Sequence, residues 1–283
     1  MLGTDHPRTR TRNGGVSLIG AIVIVLLLTA CGSAPKTYTI GIINISANQD
    51  ETLKGFKEGM AELGYVEGKN VAYIYEGPVS AEKLDAKAKD LVSANVDLIL
   101  SCTTPATQAA QRATTGTAIP VVFIPVTDPV GAGVVSSLTK PGGNITGVTY
   151  TTQEGKRLEW LLQVAPDIKH VYIVYNPKDQ SPVLALKAVS ETAANLGVDL
   201  ILREATTADE VKSAFMNIPE EANAIFLLPD SVANTGIADT YKMAIELKLP
   251  TSGPNVNTIN DGALTAYGVD LTVAARKQAA RLA

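Results

Sequence analysis

The chain has 283 residues, of which 46% are hydrophobic, 5% aromatic and 18% charged, and its formal net charge at pH 7 is −4. This length is sufficient for one or two sizeable cores, and the composition is typical of a soluble α/β protein. An acidic chain without clustered Lys and Arg excludes a nucleic-acid-binding surface, so small molecules and proteins are the expected partners.

The amino terminus predicts an export signal. Three arginines within residues 8–12 precede an uncharged apolar run over 16–30, which is too short to span a bilayer comfortably. This run ends in the sequence LTAC, which resembles a bacterial lipobox. We therefore expect residues 1–30 to be a lipoprotein signal peptide and residues 31–36 a tether, with Cys31 acylated. Lipid on Cys31 would hold the protein on the extracytoplasmic face of the cell membrane; a plain transmembrane anchor is the alternative.

The residue types needed for catalysis are scarce. Apart from Cys31, which is expected to be acylated, Cys102 is the only cysteine, so no intrachain disulfide is expected. Of the two histidines, His6 lies in the signal and His170 opens a predicted strand, which leaves no base for a catalytic thiol. The chain also has no nucleophile elbow, histidine metal-binding pair or phosphate-binding loop. We therefore predict no catalytic residues, metal or cofactor, and Cys102 is interpreted as a small core or turn residue.

Strands and helices alternate along the first half of the chain. Strands are predicted at 37–44, 70–76, 97–102, 119–126 and 145–150, and helices at 50–63, 80–94 and 104–115. Alternation at this spacing indicates right-handed βαβ units and a mainly parallel sheet. Residues 140–144, with sequence KPGGN, are the densest cluster of structure-breaking residues and are the predicted hinge.

The same alternation restarts in the second half. Helices are predicted at 153–164, 182–196, 208–216 and 237–247, strands at 170–175, 199–203, 224–228 and 263–267, and a short strand or turn at 250–254. The expected fold is α/β, with two doubly wound parallel-sheet lobes joined by a hinge. Lobe 1 is predicted over 37–148, with 270–283 returning to it, and lobe 2 over 149–269. No cap or breaker ends the helical segment after Leu271, so the sequence looks truncated after Ala283.

Polar residues follow the predicted strands, where open α/β sheets bind ligands. Thr103 and Thr104 are the clearest case, because Pro105 falls in the first turn of the next helix, whose amide N–H groups are unpaired. Capping by Thr104 alone is the alternative there, and turn chemistry is the alternative elsewhere. The predicted substrate-binding residues are Ser46, Asn48, Thr103, Thr104, Thr127, Asp128, Tyr150, Asn176, Gln180, Asp230, Tyr267 and Asp270.

Several sequence blocks resemble one family of ABC-transporter substrate-binding proteins, which includes tryptophan- and tyrosine-binding lipoproteins. These blocks are GFKEG at 55–59, ELGY at 62–65, TPA at 104–106, VTDPVGAGVV at 126–135 and KPGGNITGV at 140–148. The resemblance implies a type I periplasmic-binding-protein fold that closes about a hinge. It also implies delivery of a small solute, with an aromatic amino acid favoured, to ABC permease subunits.

For an amino acid ligand, the strand ends suggest a division of roles. Thr103, Thr104 and the helix amides would hold the carboxylate, and Asp128 or Asp230 would pair with the ammonium group. Tyr150 or Tyr267 would form an apolar wall. The alternative function is an extracellular sensory module that presents the same fold to a receptor instead of a permease.

Overall fold

The computed structural model describes residues 1–3, 36–149 and 153–283. Residues 4–35, which contain Cys31 and most of the predicted signal peptide and tether, lie outside the described residues, and so does Tyr150. Within the described ranges, no helix combines the length and hydrophobicity that a membrane crossing requires. The two sheets and all helices below belong to one compact unit, Thr37–Ala283.

The first sheet contains five parallel strands in the order β2-β1-β3-β4-β5. These are β1 (Tyr38–Ile43), β2 (Val71–Ile74), β3 (Leu98–Ser101), β4 (Val121–Val126) and β5 (Ile145–Thr149). The helices that connect them are α1 (Asp50–Glu62), α2 (Leu84–Ser93) and α3 (Thr104–Thr114). Short 3-10 turns, Ala47–Gln49 and Ala81–Lys83, precede α1 and α2.

The second sheet is also parallel, in the order β10-β9-β8-β6-β7. Its strands are β6 (His170–Tyr175), β7 (Asp199–Glu204), β8 (Ala224–Phe226), β9 (Thr251–Gly253) and β10 (Thr265–Ala266). The helices of this half are α4 (Glu154–Val164), α5 (Gln180–Leu196), α6 (Ala208–Met216) and α7 (Ile237–Glu246), with a 3-10 turn at Val256–Ile259. The chain then forms α8 (Leu271–Ala274), a π-helical turn (Ala275–Ala279) and α9 (Ala280–Leu282).

Helices cover both faces of each sheet, which explains why the central strands are continuous apolar runs. In β1 and β3, Ile42 and Leu100 pack on one face with α1, and Ile43 and Ile99 pack on the other with α2 and α3. The second sheet likewise has two separate core clusters, one on each face.

The helical segment after Leu271 lies against α1 at very short range. A Cβ atom placed on Gly59 would lie 2.2 Å from the carbonyl oxygen of Arg276, and one on Gly55 would lie 2.3 Å from that of Thr272. Arg276 also pairs with Glu62 on α1. The two glycines therefore let this segment pack directly on a helix of the first sheet.

The predicted hinge at 140–144 is wrong. This segment precedes β5, and β5 pairs with β4, so both of its flanks belong to the first sheet. Its structure is a local turn in which the Ser136 hydroxyl donates to the Lys140 carbonyl at 2.8 Å. Glycine and proline identify a turn, but they carry no information about which strands the turn joins. The chain instead passes between the two sheets after Thr149 and again before α8.

Candidate ligand-binding site

A cleft lies where the carboxyl ends of the two sheets face each other. The first sheet lines it with residues after β1 and β3 and at the end of β4, and the second sheet with residues after β6, β8, β9 and β10. The cleft encloses a cavity of about 90 Å³, so its two walls lie close together. Strand ends meet there because all strands within each sheet are parallel.

Half of the predicted site residues line this cleft. They are Ser46, Asn48, Thr103, Thr104, Thr127 and Asp230. They come from four different loops, so their assembly depends on the order of the strands and on the approach of the two sheets.

The other described candidates make local or bridging contacts away from the cleft lining. Asp128 Oδ1 accepts from the Gly131 amide at 2.8 Å, and Asn176 Oδ1 accepts from the Lys178 amide at 3.0 Å. Asp270 caps α8 by accepting from the Val273 amide. Turn and capping chemistry, the alternative considered for every position, therefore occupies these three side chains.

Gln180 and Tyr267 also lie outside the cleft lining. Gln180 donates through Nε2 to the Gly131 carbonyl at 2.9 Å, and this contact joins the second half to the first. Tyr267 is 37% exposed on the surface after β10. Of the two proposed aromatic wall residues, Tyr267 is therefore away from the cleft, and Tyr150 lies outside the described residues.

Several lining residues were not predicted from the sequence. Those next to a predicted residue are Gln49, Ser181, Pro229, Ser231 and Leu271, and the remainder are Pro125, Asn234, Ile237, Pro254, Asn255, Asn257, Thr258 and Asp261. A signal was present for Asn255, Asn257 and Thr258, because these polar residues follow the segment predicted at 250–254. Ile237 and Leu271 carried no such signal, since apolar residues at helix starts are ordinarily part of a core.

Thr103 has the most unusual backbone in the cleft. Its φ and ψ angles are 86° and 160°, a conformation that a β-branched residue rarely adopts. Its hydroxyl does not cap α3, and Thr103 Oγ1 is buried without a hydrogen-bond partner. Capping by Thr104, the alternative for this pair, is wrong because Thr104 is the first residue of α3, and the N-cap residue is Thr103. The unused hydroxyl lies beside the unpaired amides of the α3 amino terminus, a combination that suits an anionic oxygen.

Cys102, immediately before Thr103, is fully buried in the core of the first sheet. Burial raises the pKa of its thiol, so the reactive thiolate is disfavoured. The interpretation of Cys102 as a small core residue is confirmed.

Asp230 is held rigidly in the cleft wall. Its Oδ1 accepts from the amides of Val232 and Ala233, each at 2.8 Å, and its Oδ2 accepts from the amide of Asn176 at 2.5 Å. The side chain is only 2% exposed, and burial raises the pKa of Asp230 while the three amides oppose that increase. Its orientation is thus fixed before any ligand arrives.

The charge of the cleft is negative. Asp230 and Asp261 are the charged side chains of the described lining, which includes no Lys, Arg, His or aromatic residue. Its apolar part consists of Pro125, Pro229, Ile237, Pro254 and Leu271. The described lining therefore suits a ligand with a cationic group and an anionic group small enough for one helix terminus.

The two halves touch across the cleft. The Asn48 side-chain amide donates to the Asn234 carbonyl, and the hydroxyls of Thr127 and Ser181 form a hydrogen bond. All four of these residues line the cleft. Residues that follow strands of both sheets therefore surround the cleft and contact each other across it.

A buried ion pair supports the second side of the cleft. Arg157 on α4 pairs with Glu154 and donates to the carbonyls of Leu227, at 2.7 Å, and Ser252, at 3.1 Å. Its guanidinium carbon lies 3.8 Å from the centroid of the Phe226 ring. Arg157 therefore fixes the ends of β8 and β9, from which the lining segments continue.

Comparisons with known proteins identify the family of this chain. The family model described as ABC transporter substrate binding protein matches residues 40–283. A tyrosine-binding protein from Clostridioides difficile is 26% identical over 270 residues, which cover 89% of this chain and 78% of that protein.

Two solved structures show the same fold over most of the chain. A conserved domain protein from Vibrio cholerae has a TM-score of 0.78 and 30% identity, covering 87% of this chain and 83% of the other. An ABC domain in complex with L-Trp from Streptococcus pneumonia has a TM-score of 0.77 and 23% identity, with the same coverage.

The predicted fold class is confirmed, because two parallel five-stranded sheets match the type I periplasmic-binding-protein fold. The family model spans nearly all of Thr37–Ala283, so it covers both sheets and every cleft residue. This chain therefore belongs to the ABC transporter substrate-binding protein family and is a binding protein, not an enzyme.

Proposed function

We propose that this protein captures an α-amino acid without a charged side chain in the cleft and presents it to ABC permease subunits. The observation that carries the proposal is that one small cleft contains both a site for an anionic group and a site for a cationic group. The α3 amino terminus with the Thr103 hydroxyl suits a carboxylate, and Asp230 suits an ammonium group. A cleft whose described lining includes no basic side chain suits a zwitterion better than an anion.

Asp230 is the preferred partner for the ammonium group. Of the two aspartates suggested by the sequence, Asp230 lines the cleft, whereas Asp128 is bonded within its own turn. Bonds from three backbone amides also stabilise the ionised form of Asp230. Its charge is therefore fixed at the place where a cation would gain most from it.

The ligand side chain would contact the apolar part of the lining. Proline rings at 125, 229 and 254, with Ile237 and Leu271, provide flat and rigid apolar surface. The tyrosine-binding protein and the structure in complex with L-Trp support an aromatic amino acid. Tyr150 and Tyr267 are not needed for this wall.

Calorimetric titration of the purified protein with the twenty common L-amino acids, starting from tyrosine and tryptophan, tests the proposal. Thr103→Val removes the hydroxyl but keeps the β-branched shape, so we expect about tenfold weaker binding from the loss of one bond to a charged group. Thr115→Val, at an exposed helix end, is the matched control and should bind as the wild type does. Failure of every amino acid to bind would refute the proposal.

The lobes and the anchor complete the proposal. Lobe 1 comprises 37–149 with 270–283, one residue longer than predicted because Thr149 belongs to β5, lobe 2 follows up to residue 269, and the hinge lies at the two passages between the sheets. The contact of α8 and α9 with α1 supports this division. Residues 1–30 would be a signal peptide and Cys31 the acylated residue. Metabolic labelling with a fatty acid tests the anchor: Cys31→Ser should lose the label and leave the membrane fraction, and retained label would exclude it.

A further inference from the structure

A second carboxylate lies behind the wall that carries Asp230. Asp179 is the N-cap residue of α5 and is 3% exposed. One turn connects it to Asp230, because the Asn176 amide donates to Asp230 Oδ2 at 2.5 Å and the Asp179 amide donates to the Asn176 carbonyl at 3.2 Å. The two carboxylates are therefore parts of one buried cluster.

The two carboxylates have unequal numbers of hydrogen-bond donors. Asp230 accepts three amide hydrogen bonds, whereas Asp179 Oδ1 accepts one, from Ser181 at 2.9 Å. Asp179 Oδ2 is buried and has no hydrogen-bond partner. A buried, unsatisfied oxygen makes the ionised form costly, whereas three donors favour it. A proton shared by the cluster therefore belongs mainly on Asp179.

Electrostatics support this assignment. Burial, followed by the charge of Asp230, raises the pKa of Asp179 to about 7. Ser181 and Ser231 lower it by smaller amounts, although Ser231 makes no hydrogen bond of ordinary geometry with Oδ2. The other ionisable side chains in the adjoining segments are Lys178 in the same turn and Asp128 in the facing loop. Of all these groups, Asp230 provides the charge that shifts the Asp179 carboxyl.

Independent polar groups mark the adjoining space as the place of the ligand. Thr103 Oγ1 and Asn234 Oδ1 are buried in the cleft lining without a hydrogen-bond partner. Both side chains are about nine-tenths buried. Buried polar atoms of this kind are costly unless something binds to them.

We propose that Asp179 and Asp230 together hold one proton while the cleft is empty, and that this proton passes to solvent when a cationic group of the solute binds beside Asp230. The inference rests on the proposed function, in which that group is the ammonium of an amino acid. One ammonium group enters and one proton leaves, so the two aspartates together with the ammonium group carry the same net charge as the empty, singly protonated cluster. A cation beside Asp230 offsets the repulsion that keeps Asp179 protonated.

The first experiment uses the protein without ligand. Carboxyl carbons of aspartate are labelled with ¹³C and followed by NMR from pH 4 to 9. The wild type should show one carboxyl that titrates near pH 7 and is absent from Asp179→Asn, in which the asparagine oxygen can still cap α5. If no aspartate carboxyl titrates above pH 6, the proposal is wrong.

The second experiment measures proton release on binding. L-Tyrosine and L-tryptophan are titrated calorimetrically at pH 6 in buffers of different ionisation enthalpy. We expect release of nearly one proton per ligand, and an affinity about fivefold lower at pH 6 than at pH 7. Asp179→Asn should abolish both effects, whereas Asp239→Asn, the same change at an exposed site on α7, should retain them. Wild-type binding without proton release would overturn the proposal.

The two experiments separate the possible failures. If no amino acid binds but a carboxyl titrates near pH 7 only when Asp179 is present, the proposed function fails and the shared proton stands. If an amino acid binds with no proton released, the proposed function stands and the proton linkage fails.

Discussion

At the scale of single residues, the same residue type has different roles after different strands. Asp128 and Asp230 both follow apolar strands, yet Asp128 is bonded to the amide of Gly131 three residues later, whereas Asp230 also accepts from Asn176, which is far away in sequence. Only the second arrangement leaves a carboxylate in the cleft wall. The role of each aspartate therefore follows from the donors that surround it.

Substitution of the two aspartates should separate these roles. We expect Asp230→Asn to weaken amino acid binding at least tenfold, because the charge opposite the ammonium is lost. The variant should also unfold more easily, since its amide group places a donor against one of the three backbone donors. Asp128→Asn should bind within about twofold of the wild type. Calorimetry and thermal unfolding measure these effects, and equal losses in both variants would contradict the assignment.

The carboxyl of Asp179 should make stability depend on pH. Its pKa is about 7 in the folded protein, above the ordinary value of 3.8 expected on unfolding. Between these values the folded state binds the extra proton, so the free energy of unfolding should decrease as pH rises through this range. The asparagine of Asp179→Asn cannot ionise. The free energy of unfolding of this variant, relative to that of the wild type, should therefore increase by on the order of 2 kcal/mol from pH 5 to pH 8.

Urea denaturation of the ligand-free proteins at pH 5 and pH 8 checks this expectation. Asp239→Asn provides the exposed control and should show the same pH dependence as the wild type. A constant difference between Asp179→Asn and the wild type at both pH values would show that Asp179 is already ionised at pH 5.

At the scale of elements, helices that are distant in sequence pack together beside the first sheet. The segment from α8 to α9 contacts α1, although more than two hundred residues separate them, and Gly55 and Gly59 permit the approach. On the other side of the cleft, Arg157 joins α4 to the ends of β8 and β9. On the first side of the cleft the supporting contact is therefore between α1 and the segment from α8 to α9, and on the second side it is between α4 and the ends of β8 and β9.

Gly59→Ala should destabilise the protein by about 1–3 kcal/mol, because the new methyl group would overpack the interface. It would lie 2.2 Å from the Arg276 carbonyl oxygen and 2.7 Å from the Ala280 Cβ. Gly143→Ala is the matched control, since a Cβ atom there meets nothing within 4 Å. Urea denaturation of both variants measures the difference, and equal stabilities would mean that the two helical segments separate at little cost.

At the scale of the whole molecule, the two halves close on the cleft through side chains that also line it. The hydroxyls of Thr127 and Ser181 are in contact, and Asn48 reaches the Asn234 backbone. A solute surrounded in this way enters and leaves only if these contacts open. Type I binding proteins achieve this by hinge motion, for which the two passages between the sheets are the candidates.

A disulfide across the cleft should trap this closed arrangement. We expect the oxidised Thr127→Cys/Ser181→Cys variant to bind and release amino acids at least tenfold more slowly than its reduced form, because opening becomes restricted. Stopped-flow fluorescence before and after reduction measures the rates, and each single variant serves as a control. Unchanged rates in the oxidised form would show that ligand exchange does not require separation at this contact.

The sequence by itself determined the alternation of strands and helices, the α/β class and the polar strand ends. These features depend on local periodicity and on turn residues, which is why the predicted strand at 170–175 agrees with β6. The predicted strand at 224–228 is longer than β8, because its last apolar residues remain buried after the ladder ends. The family resemblance also came from sequence, through blocks such as 126–135.

Only the tertiary structure decided which strand ends form the cleft, where the chain passes between the sheets and which carboxylates share a buried cluster. The bond from Asn176 to Asp230 spans 54 residues, and the contact between Asn48 and Asn234 spans 186. No local pattern specifies such pairs, because they arise when strand order and sheet twist bring distant loops together. The hinge prediction at 140–144 failed for this reason, since a turn sequence is the same whether the next strand joins the old sheet or a new one.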